Sequence, residues 1–383
     1  MRVLVLNPGS SSLKYHLRDT ACTPTGNAVL HSGQLEWADD QEDRGGSLRR
    51  VLQEVERDFG RPDAIGHRVV HGGESYTSPV SVTNDVIAMI RSLGTLAPLH
   101  NASSADCMEA AADLWPGLPQ VAVFDTSFHR SIPDFASRYA VPENAYMAHP
   151  IRRYGFHGIS VELACRDAKG FLAKQTGSLN AVVAHIGNGA SVTAVKAGRS
   201  VDTSMGMTPL EGLVMGTRCG DLDPALVLLM LGEGATASDV DDILNHRSGL
   251  LSLAGTADMR TIAAGFHRGD PGAVLAVQAS SYRLAKYIAA YAMAVGGPDA
   301  VIFTGGIGEN SALYRAATLE WLRPLGYALD EDANRDEDAN QSDRTGIRTV
   351  STTASVVPVL VVPSDEERAI AESTASLLGS DKK

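Results

Sequence analysis

Two arginines stand in segments where a positive charge is costly unless an anion pairs with it. Arg68 interrupts the apolar, strand-like residues 64–73, and Arg218 lies among the small residues of 216–221. A guanidinium on an apolar strand needs a carboxylate or a phosphate as its partner. The residues alone leave two interpretations open, a structural ion pair or a site that binds an anionic substrate.

Two carboxylates stand at the ends of predicted elements. Asp125 follows the buried strand of VAVFDTS, and Glu366 stands at the start of the last predicted helix. Ser364 and Glu367 have the spacing of a capping box, which engages both side chains with backbone N–H groups and leaves Glu366 available. Because Mg²⁺ prefers oxygen ligands, an acid at a strand end, as at Asp125, suits a magnesium site.

Small-residue turns could hold phosphate groups, because they point successive backbone N–H groups at one spot. They lie at residues 7–12, 187–191, 216–221 and 305–310. The first is not a nucleotide-binding P-loop, because no glycine directly precedes Lys14. The last has Ser311 where a dinucleotide-binding fingerprint needs its final glycine. Phosphate binding of another kind is therefore predicted.

Histidine and cysteine do not have the spacing of a zinc site. His67 and His71 are four residues apart, but in a strand-like run this spacing does not bring two side chains together. The four cysteines are far apart and form no Cys-x-x-Cys pair. This pattern favours neither a zinc ribbon nor a disulfide scaffold and fits a reducing cytoplasm.

The elements that must position these residues occur twice along the chain. VLVLNPGSSSLKYHLR reads as a buried strand, a turn and a second strand, with a third strand in VLHSGQLEW. AVVAHIGNGASVTAVKAGRSVDT repeats this design about 180 residues later. Helices and the further buried strands AIGHRVV and AVIFT follow. An α/β fold with two duplicated domains is predicted, with a solvated loop at residues 330–344.

The overall composition limits the partners that this chain can take. Its 383 residues carry a formal net charge of −12, with a pI of about 5.4. A surface for nucleic acid is therefore not expected, whereas a few arginines suffice to bind a small anion. No stretch reaches the roughly 18–20 apolar residues that cross a bilayer, and no signal peptide is recognisable, so no membrane partner is expected.

Motifs along nearly the whole chain closely resemble those of the acetate kinase family, within the superfamily of acetate and sugar kinases, heat-shock ATPase domains and actin. The motifs are VLNPGSSSLKY, GHRVVHGG, LAPLHN, VAVFDTSFH, RRYGFHG, HIGNGAS, DTSMGMTPLEGLVMGTRCGDLDP, SGLL, ADMR, FTGGIGENS and VVPSDEE. The resemblance implies two ribonuclease H-like, actin-like ATPase domains, each a mixed sheet flanked by helices, with a cleft between them. The implied N-terminal domain is 1–130 with the C-terminal helix 367–383, and residues 131–366 form a domain for nucleotide binding and homodimerisation.

The resemblance also implies roles for matching positions. The catalytic residues would be Arg68, Asp125, His157 and Arg218. The acid would lie against Arg68 and a small apolar pocket of Val70, Leu99 and Pro209. Mg²⁺, or Mn²⁺ in its place, would be held by Asn7 and Glu366, with Asp125 acting directly or through water. ATP or ADP would contact Ser12, Lys14, His185, Ile186, Gly187, Asn188, Gly189, Asp258, Met259, Arg260, Gly305, Gly306, Ile307, Gly308 and Asn310, with Lys14 in a supporting role at most.

The implied reaction is reversible, magnesium-dependent transfer of a phosphoryl group between ATP and acetate by direct in-line displacement. Three alternatives stand beside it. A propionate kinase would use the same residues, a non-catalytic ATP switch would lack the paired arginines, and a sugar kinase would need Asp125 as a general base. The presence of Arg68, His157 and Arg218 together favours a carboxylate kinase.

Overall fold

The structure is a computed structural model that describes residues 1–9, 12–21, 28–37, 44–97, 100–142, 149–173, 177–335 and 346–380. The chain divides into two compact units, Met1–Arg130 with Asp365–Lys383, and Ser131–Ser364. The C-terminal segment therefore returns to the unit in which the chain begins.

The first unit contains a mixed sheet. Over the described residues its strands are β1 (Arg2–Pro8), β2 (Ser12–Asp19), β3 (Ala28–Glu36), β4 (Ala64–Val69), β5 (Val80–Ser81) and β6 (Gln120–Phe124). They lie in the order β3-β2-β1-β4-β6-β5. β1, β2 and β3 are antiparallel, whereas β1, β4 and β6 are parallel. The first predicted hairpin is thus β1 and β2.

The second unit contains a sheet of the same design. Its described strands are β7 (Ala181–Ile186), β8 (Ala190–Lys196), β9 (Arg199–Thr203), β10 (Ala300–Thr304), β11 (Arg348–Thr349) and β12 (Val359–Val361). Their order is β11-β12-β10-β7-β8-β9, with β7, β8 and β9 antiparallel and β7, β10 and β12 parallel. This repeated topology confirms the predicted duplication of an α/β domain.

Helices flank both sheets. The first unit has α1 (Arg44–Phe59), α2 (Asn84–Ser92) and α3 (Asn101–Leu114). The second has α4 (Asp134–Ser137), α5 (Gly158–Phe171), α6 (Ala225–Gly232), α7 (Ala237–His246), α8 (Gly249–Ala254), α9 (Met259–His267), α10 (Pro271–Val295), α11 (Gly305–Asn310), α12 (Ala312–Leu322) and α13 (Glu331–Arg335). The last helix, α14 (Glu366–Ser380), belongs to the first unit.

The core of the first unit lies between its sheet and the helices α1 and α3. Leu4 and Ile65 from the strands pack there with Leu52 of α1. Helix α14 covers the opposite face, where a Cβ built on Gly66 would lie 2.7 Å from the Ile370 side chain. Since neighbouring strand residues face opposite sides of a sheet, Ile65 and Gly66 serve the two layers. The start of α14 is thereby brought to the edge of the sheet.

The predicted capping box at Ser364 and Glu367 is wrong. Asp365 caps α14, because its Oδ1 accepts a hydrogen bond from the Arg368 N–H at 3.0 Å. Ser364 instead donates its backbone N–H and its hydroxyl to Glu309 Oε1, at 2.9 and 2.7 Å. The Ser-x-x-Glu spacing is present, but Asp365 stands one residue closer to the helix and is a strong N-cap itself.

Two segments expected to be irregular contain helix. Residues 305–310, predicted as a turn, form α11, which starts directly at the end of β10. Gly305 permits this junction, since its φ is +79° and a Cβ would lie 2.9 Å from the Ile186 carbonyl oxygen. Within the predicted solvated loop, α13 buries Asn334, and residues 336–345 lie outside the described part of the chain.

None of the described helices combines the length and the hydropathy that a bilayer crossing requires.

Candidate active site

Arg68 and Asp125 meet at one edge of the first sheet. Arg68 lies near the end of β4, opposite Val123 in the register of β4 and β6, and Asp125 directly follows β6. Because the carboxyl ends of parallel strands share an edge, the two side chains converge. Arg68 Nη2 lies 2.5 Å from Asp125 Oδ2, and Arg68 Nε lies 3.5 Å from Glu366 Oε2 at the start of α14.

The Arg68 cluster is largely closed to solvent. Asp125 is fully buried, and 14% of the Arg68 side chain is exposed. Burial by itself lowers the pKa of Arg68, but the charges of Asp125 and Glu366 outweigh burial and raise this pKa above its ordinary value. The guanidinium therefore remains charged throughout the physiological pH range. The sequence left open whether Arg68 forms a structural ion pair or binds an anionic substrate, and the structure contains the ion pair.

Asn7 joins the first hairpin to the Arg68 cluster. Its amide Nδ2 donates a hydrogen bond to Glu367 Oε1 at 2.9 Å, and its Oδ1 accepts one from Arg68 Nη1 at 3.3 Å. Lys14 is the register partner of Asn7 on β2, and its side chain is exposed. The hairpin thus presents an amide, rather than an ammonium group, to the carboxylates at the start of α14.

Side chains that the sequence analysis did not single out hold the Arg68 segment in place. Asn101 Nδ2 donates to the His71 carbonyl at 2.9 Å, and Asn101 Oδ1 accepts the His71 N–H at 3.1 Å. The Ser104 hydroxyl donates to the Arg68 carbonyl at 3.1 Å. The LAPLHN motif, which ends at Asn101, is the signal that could have identified this brace. Val70 beside it is buried, whereas Leu99 lies outside the described residues.

In the second unit, His157 and His185 stack on each other. Their ring centroids are 4.2 Å apart, with planes inclined by 26°. His157 Nδ1 lies 3.0 Å from Ser191 Oγ, and His185 Nδ1 lies 2.9 Å from Ser160 Oγ. His157 precedes α5 with φ +58°, a left-handed conformation that costs a non-glycine residue about 1–2 kcal/mol. The surrounding contacts therefore hold His157 against local backbone strain.

Arg218 lies beside His157 and the turn between β7 and β8. A Cβ built on Gly189 in this turn would lie 3.5 Å from both Arg218 Nη1 and His157 Nε2. Arg218 Nη1 donates to the Pro209 carbonyl at 3.2 Å and lies 3.9 Å from Met215 Sδ. Among the described residues no carboxylate forms an ion pair with this guanidinium, and burial lowers its pKa. Arg218 is therefore a half-buried cation without a neutralising side chain.

Two of the predicted small-residue turns lie against each other. The Gly216 N–H donates to the Asn188 carbonyl at 3.0 Å, and a Cβ at Gly216 would lie 2.0 Å from Asn188 Oδ1. Any other residue at 216 would force the Asn188 side chain to move. The contact fixes the segment that carries Arg218 against the hairpin turn that follows His185 and Ile186.

The second unit contains a cavity of about 680 Å³, and Asn188 is one of the residues that line it. This volume is within the range of pockets that hold a ligand of nucleotide size. Predicted nucleotide contacts line it: Asn188, Asp258, Met259, Arg260, Gly306, Ile307 and Asn310. Residues that the sequence analysis missed complete its wall: Ala257, Ala263, His267, Ser311, Ala312 and Leu313. Gly305 and Gly308 are buried parts of α11 and do not line the cavity.

Asp258 and Arg260 form an ion pair at the N-terminus of α9. Asp258 caps the helix by accepting the Arg260 N–H at 2.8 Å, and the Arg260 guanidinium lies 2.7 Å from Asp258 Oδ2. The side-chain hydrogen bond from Arg260 lowers the pKa of Asp258 to about 2. Since 92% of the Arg260 side chain is exposed, the guanidinium is accessible to a ligand in the cavity.

A buried arginine that the sequence analysis missed braces α11. Arg315 donates to the carbonyls of Gly308 and Glu309, both at 2.8 Å, and to Asn334 Oδ1 at 2.8 Å. Burial, together with the charge of Arg348, lowers the pKa of Arg315 to about 10. The carbonyls at a helix C-terminus carry partial negative charge and compensate this cation. Arg315 therefore fixes the helix that forms one wall of the cavity.

The structure brings the predicted residues together as separate groups within each unit. Asn7, Arg68, Asp125 and Glu366 converge in the first unit. His157, His185, Gly189 and Arg218 surround the hairpin turn of the second, next to the cavity. The described residues contain no set of three or more His, Cys, Asp or Glu side chains arranged to hold a metal ion.

Comparisons with known proteins agree with this architecture. A profile of the acetokinase family matches residues 2–372. The chain is 48% identical over 391 residues to an acetate kinase of Arthrobacter sp. (strain FB24), covering 99% of this chain and 100% of the relative. The crystal structure of Porphyromonas gingivalis acetate kinase has a TM-score of 0.87 and 36% identity, covering 98% and 99% of the two chains. That of a propionate kinase from Francisella tularensis has a TM-score of 0.85 and 35% identity, covering 97% and 98%.

Proposed function

We infer that this chain, which belongs to the acetokinase family, transfers the γ-phosphoryl group of ATP to acetate and forms acetyl phosphate and ADP in a reversible reaction. One observation carries the inference beyond family membership. Arg218 is a half-buried guanidinium with no carboxylate partner in the described residues, beside His157 and a glycine turn. An anionic reaction centre would supply the missing charge.

The reaction chemistry suits these side chains. Acetate is ionised at neutral pH, so its attack on phosphorus needs no general base. Negative charge spreads over the equatorial oxygens of the phosphoryl group during in-line transfer. We propose that Arg218 and His157 stabilise these oxygens, and that Arg68, held between Asp125 and Glu366, orients the acetate carboxylate. Fixed donors of this kind lower the barrier because they need no rearrangement during the reaction.

Asn7, Asp125 and Glu366 fit Mg²⁺ in the type of their ligand atoms, since all three offer oxygen, and their shared contacts with Arg68 show that they converge. Since the described residues provide no larger ligand cluster, the ion would keep waters and bind phosphate oxygens, as Mg²⁺ commonly does. When bound, it would neutralise charge on the transferred phosphate. We propose that Asn7 and Glu366 would be ligands of the ion and that Asp125 would act directly or through water. Mn²⁺ would be able to replace Mg²⁺ at this site.

The cavity of the second unit is the proposed nucleotide site. Asn188 lines this cavity, and Gly189 follows it in the turn beside Arg218, so both are proposed to contact the phosphates. Asp258, Met259 and Arg260 line the wall next to α9. Ile307 and Asn310 line the opposing wall of α11. Ser12 of the first hairpin is proposed as a phosphate contact because its motif resembles that of the acetate kinase family. Lys14, exposed on β2, would have a supporting role at most.

Propionate is the second candidate acid. Val70 and Pro209, with Leu99 outside the described residues, are proposed to contact the methyl group of acetate. One methylene in such a pocket is worth about 1–3 kcal/mol, so propionate would be a poorer but real substrate. The likeness to a propionate kinase from Francisella tularensis favours keeping this alternative. Comparing kcat/KM for the two acids decides between them.

A sugar kinase would need Asp125 as a base, but Asp125 Oδ2 already accepts a hydrogen bond from Arg68 Nη2 within a buried ion pair. The test is formation of acetyl hydroxamate from acetate, ATP, magnesium and hydroxylamine. We expect hydroxamate to accumulate with acetate and no ADP release with glycerol or glucose. Turnover with a polyol and no hydroxamate would overturn the proposed function.

We also propose a homodimer that forms through the second unit. Helix α6 (ALVLLMLG) is apolar yet contains no buried residue, with Leu228 and Leu229 70% and 65% exposed. An apolar helix with no cover is typical of an interaction surface. Leu228→Glu with Leu229→Glu should convert a dimer to a monomer in sedimentation velocity. A wild-type monomer at micromolar concentration would contradict the proposal.

The three described cysteines, Cys107, Cys165 and Cys219, are free thiols. This state suits a reducing compartment, and we propose a cytoplasmic location.

A further inference from the structure

Two reciprocal hydrogen bonds close the loop that carries Arg218, residues 212–221, at its base. The Gly212 N–H donates to Asp221 Oδ1 at 2.9 Å, and the Asp221 N–H donates to the Gly212 carbonyl at 3.0 Å. The first and last residues of this Arg218 loop are therefore joined to each other. One of the two bonds depends on the side chain of Asp221.

The same carboxylate ties the Arg218 loop to the long helix α10. Tyr287 donates its hydroxyl to Asp221 Oδ2 at 2.8 Å, and Arg283 Nη1 lies 3.0 Å from the same oxygen. Residues 283 and 287 are one helical turn apart, so both reach a single point beside the helix. Because α10 is anchored by buried residues such as Leu284 and Ile288, it gives the loop a fixed support.

Arg218 itself lies at the far end of the loop, where backbone contacts set its position. The Met215 N–H donates to the Arg218 carbonyl at 3.2 Å, and the Ser248 N–H donates to the Thr217 carbonyl at 2.9 Å. The guanidinium contacts only the Pro209 carbonyl and Met215 Sδ among the described residues. Since no ion pair holds the guanidinium, its place depends on the path of the loop.

We propose that Asp221 is a positioning residue that closes the Arg218 loop and sets the place of the Arg218 guanidinium. Its side-chain contacts with Gly212, Arg283 and Tyr287 are called the latch below. This role rests on the proposed phosphoryl transfer, in which Arg218 contacts the reacting phosphoryl group. Asp221 does not contact the substrates and acts through the loop. A displacement of a reacting group by about 1 Å can cost on the order of 10² in rate, so loss of the latch affects chemistry more than nucleotide binding.

The experiment compares Asp221→Ala and Asp221→Asn with Asp223→Asn. Asp223 is the matched control, because it stands two residues away and is exposed, and its side chain accepts the Ala225 N–H at 2.9 Å, outside the Arg218 loop. Asn at 221 can still accept the Gly212 N–H but loses the charge that faces Arg283. We expect kcat/KM for acetate to fall about 100-fold in Asp221→Ala and about 10-fold in Asp221→Asn. Asp223→Asn should stay within twofold of wild type.

Two further measurements separate positioning from a general loss of structure. The Kd for ADP, which lacks the transferred group, should change less than threefold in Asp221→Asn by calorimetry. Hydrogen exchange at the amides of residues 213–220 should be at least about tenfold faster in Asp221→Asn than in Asp223→Asn, because the loop base is weakened. A Tyr287→Phe variant should reproduce part of the rate loss with an unchanged melting temperature.

The outcomes are distinct. Wild-type protein that forms no acetyl hydroxamate contradicts the proposed function, and the hydrogen-exchange comparison still tests the latch. Active wild type together with near-normal kcat/KM in Asp221→Asn overturns the positioning role. Equal exchange in Asp221→Asn and Asp223→Asn overturns the latch itself, even if Asp221→Ala fails to fold.

Discussion

Arg68 in the first unit and Arg218 in the second stand in similar sequence settings, but their charges are compensated in opposite ways. Arg68 lies between Asp125 and Glu366, and these carboxylates raise its pKa in spite of burial. Arg218 contacts a carbonyl and a thioether sulfur, and burial lowers its pKa. The protein neutralises the first cation, whereas the described residues provide no carboxylate for the second.

This difference indicates distinct contributions to the proposed reaction. A guanidinium fixed by two carboxylates has a defined orientation and can align the carboxylate of the proposed substrate. In the proposed reaction, a guanidinium that has no carboxylate partner in the described part of the chain interacts more strongly with charge that develops on the phosphoryl group. The comparison predicts that loss of Arg68 damages both stability and rate, whereas loss of Arg218 damages rate alone.

Arg68→Ala should give the largest combined effect. Removing the partner of a buried carboxylate costs about 3–5 kcal/mol, and loss of an arginine at a phosphoryl-transfer site costs about 10³–10⁵ in rate. Urea unfolding and the hydroxamate assay measure the two losses. The double variant Arg68→Ala, Asp125→Asn should recover much of the stability but none of the activity. Unchanged stability in Arg68→Ala would contradict the ion-pair account.

Arg218→Ala should lower kcat by about 10³–10⁵ while the free energy of unfolding changes by about 1 kcal/mol or less. The reason is that the guanidinium has few protein partners to lose. Arg247→Ala is the control, because Arg247 is exposed and pairs with Asp242 at 2.7 Å, so its loss should leave turnover unchanged. If Arg218→Ala keeps a tenth of the wild-type kcat, Arg218 is not the residue that stabilises the transferred group.

The two sheets also differ in a buried histidine. His67 lies on β4, whereas the equivalent strand β10, with the sequence AVIFT, has no titratable residue. Burial lowers the pKa of His67 to about 4, from about 6.5 in the unfolded chain. Between these values only the unfolded chain binds the proton. Stability is therefore complete above pH 6.5 and falls as the pH drops towards 4, by about 3 kcal/mol. Chemical unfolding at pH 7 and pH 4.5 measures this loss.

His67→Gln removes the titrating group and keeps a donor for Gln120, the hydrogen-bond partner of His67 at 2.6 Å. Its free energy of unfolding should fall less between the two pH values than that of the wild-type protein. Parallel losses in both proteins would show that other groups account for the acid sensitivity.

Ser160→Ala should have the smallest effect. It removes the hydrogen bond at 2.9 Å to His185, which stacks on His157, and a single hydrogen bond is worth about 1 kcal/mol. We expect kcat to fall less than about tenfold and the melting temperature to drop slightly. Ser238→Ala, at an exposed position on α7, is the reference for a serine without such a partner. Identical kinetics in the two variants would mean that Ser160 does not orient the histidine pair.

Much of the fold could be predicted because its signals are local. The buried strand runs and the small-residue turns identified both hairpins, β1 with β2 and β7 with β8. The further predicted strands AIGHRVV and AVIFT correspond to β4 and β10. The cap of α14 was assigned wrongly, because Ser364 and Asp365 both suit an N-cap and contacts with Glu309 and Arg18 decide between them.

By itself, the sequence determined the family, the duplicated α/β plan and the residue types available for chemistry, because motifs and strand periodicity are properties of neighbouring residues. Only the tertiary structure decided which charges meet. Arg68 pairs with Asp125, 57 residues away, because β4 and β6 are parallel neighbours, and with Glu366 because the last helix returns to the first unit. Arg218 has no such partner in the described chain. Strand order and burial set these long-range pairings, and neither is encoded in the spacing of residues along the chain.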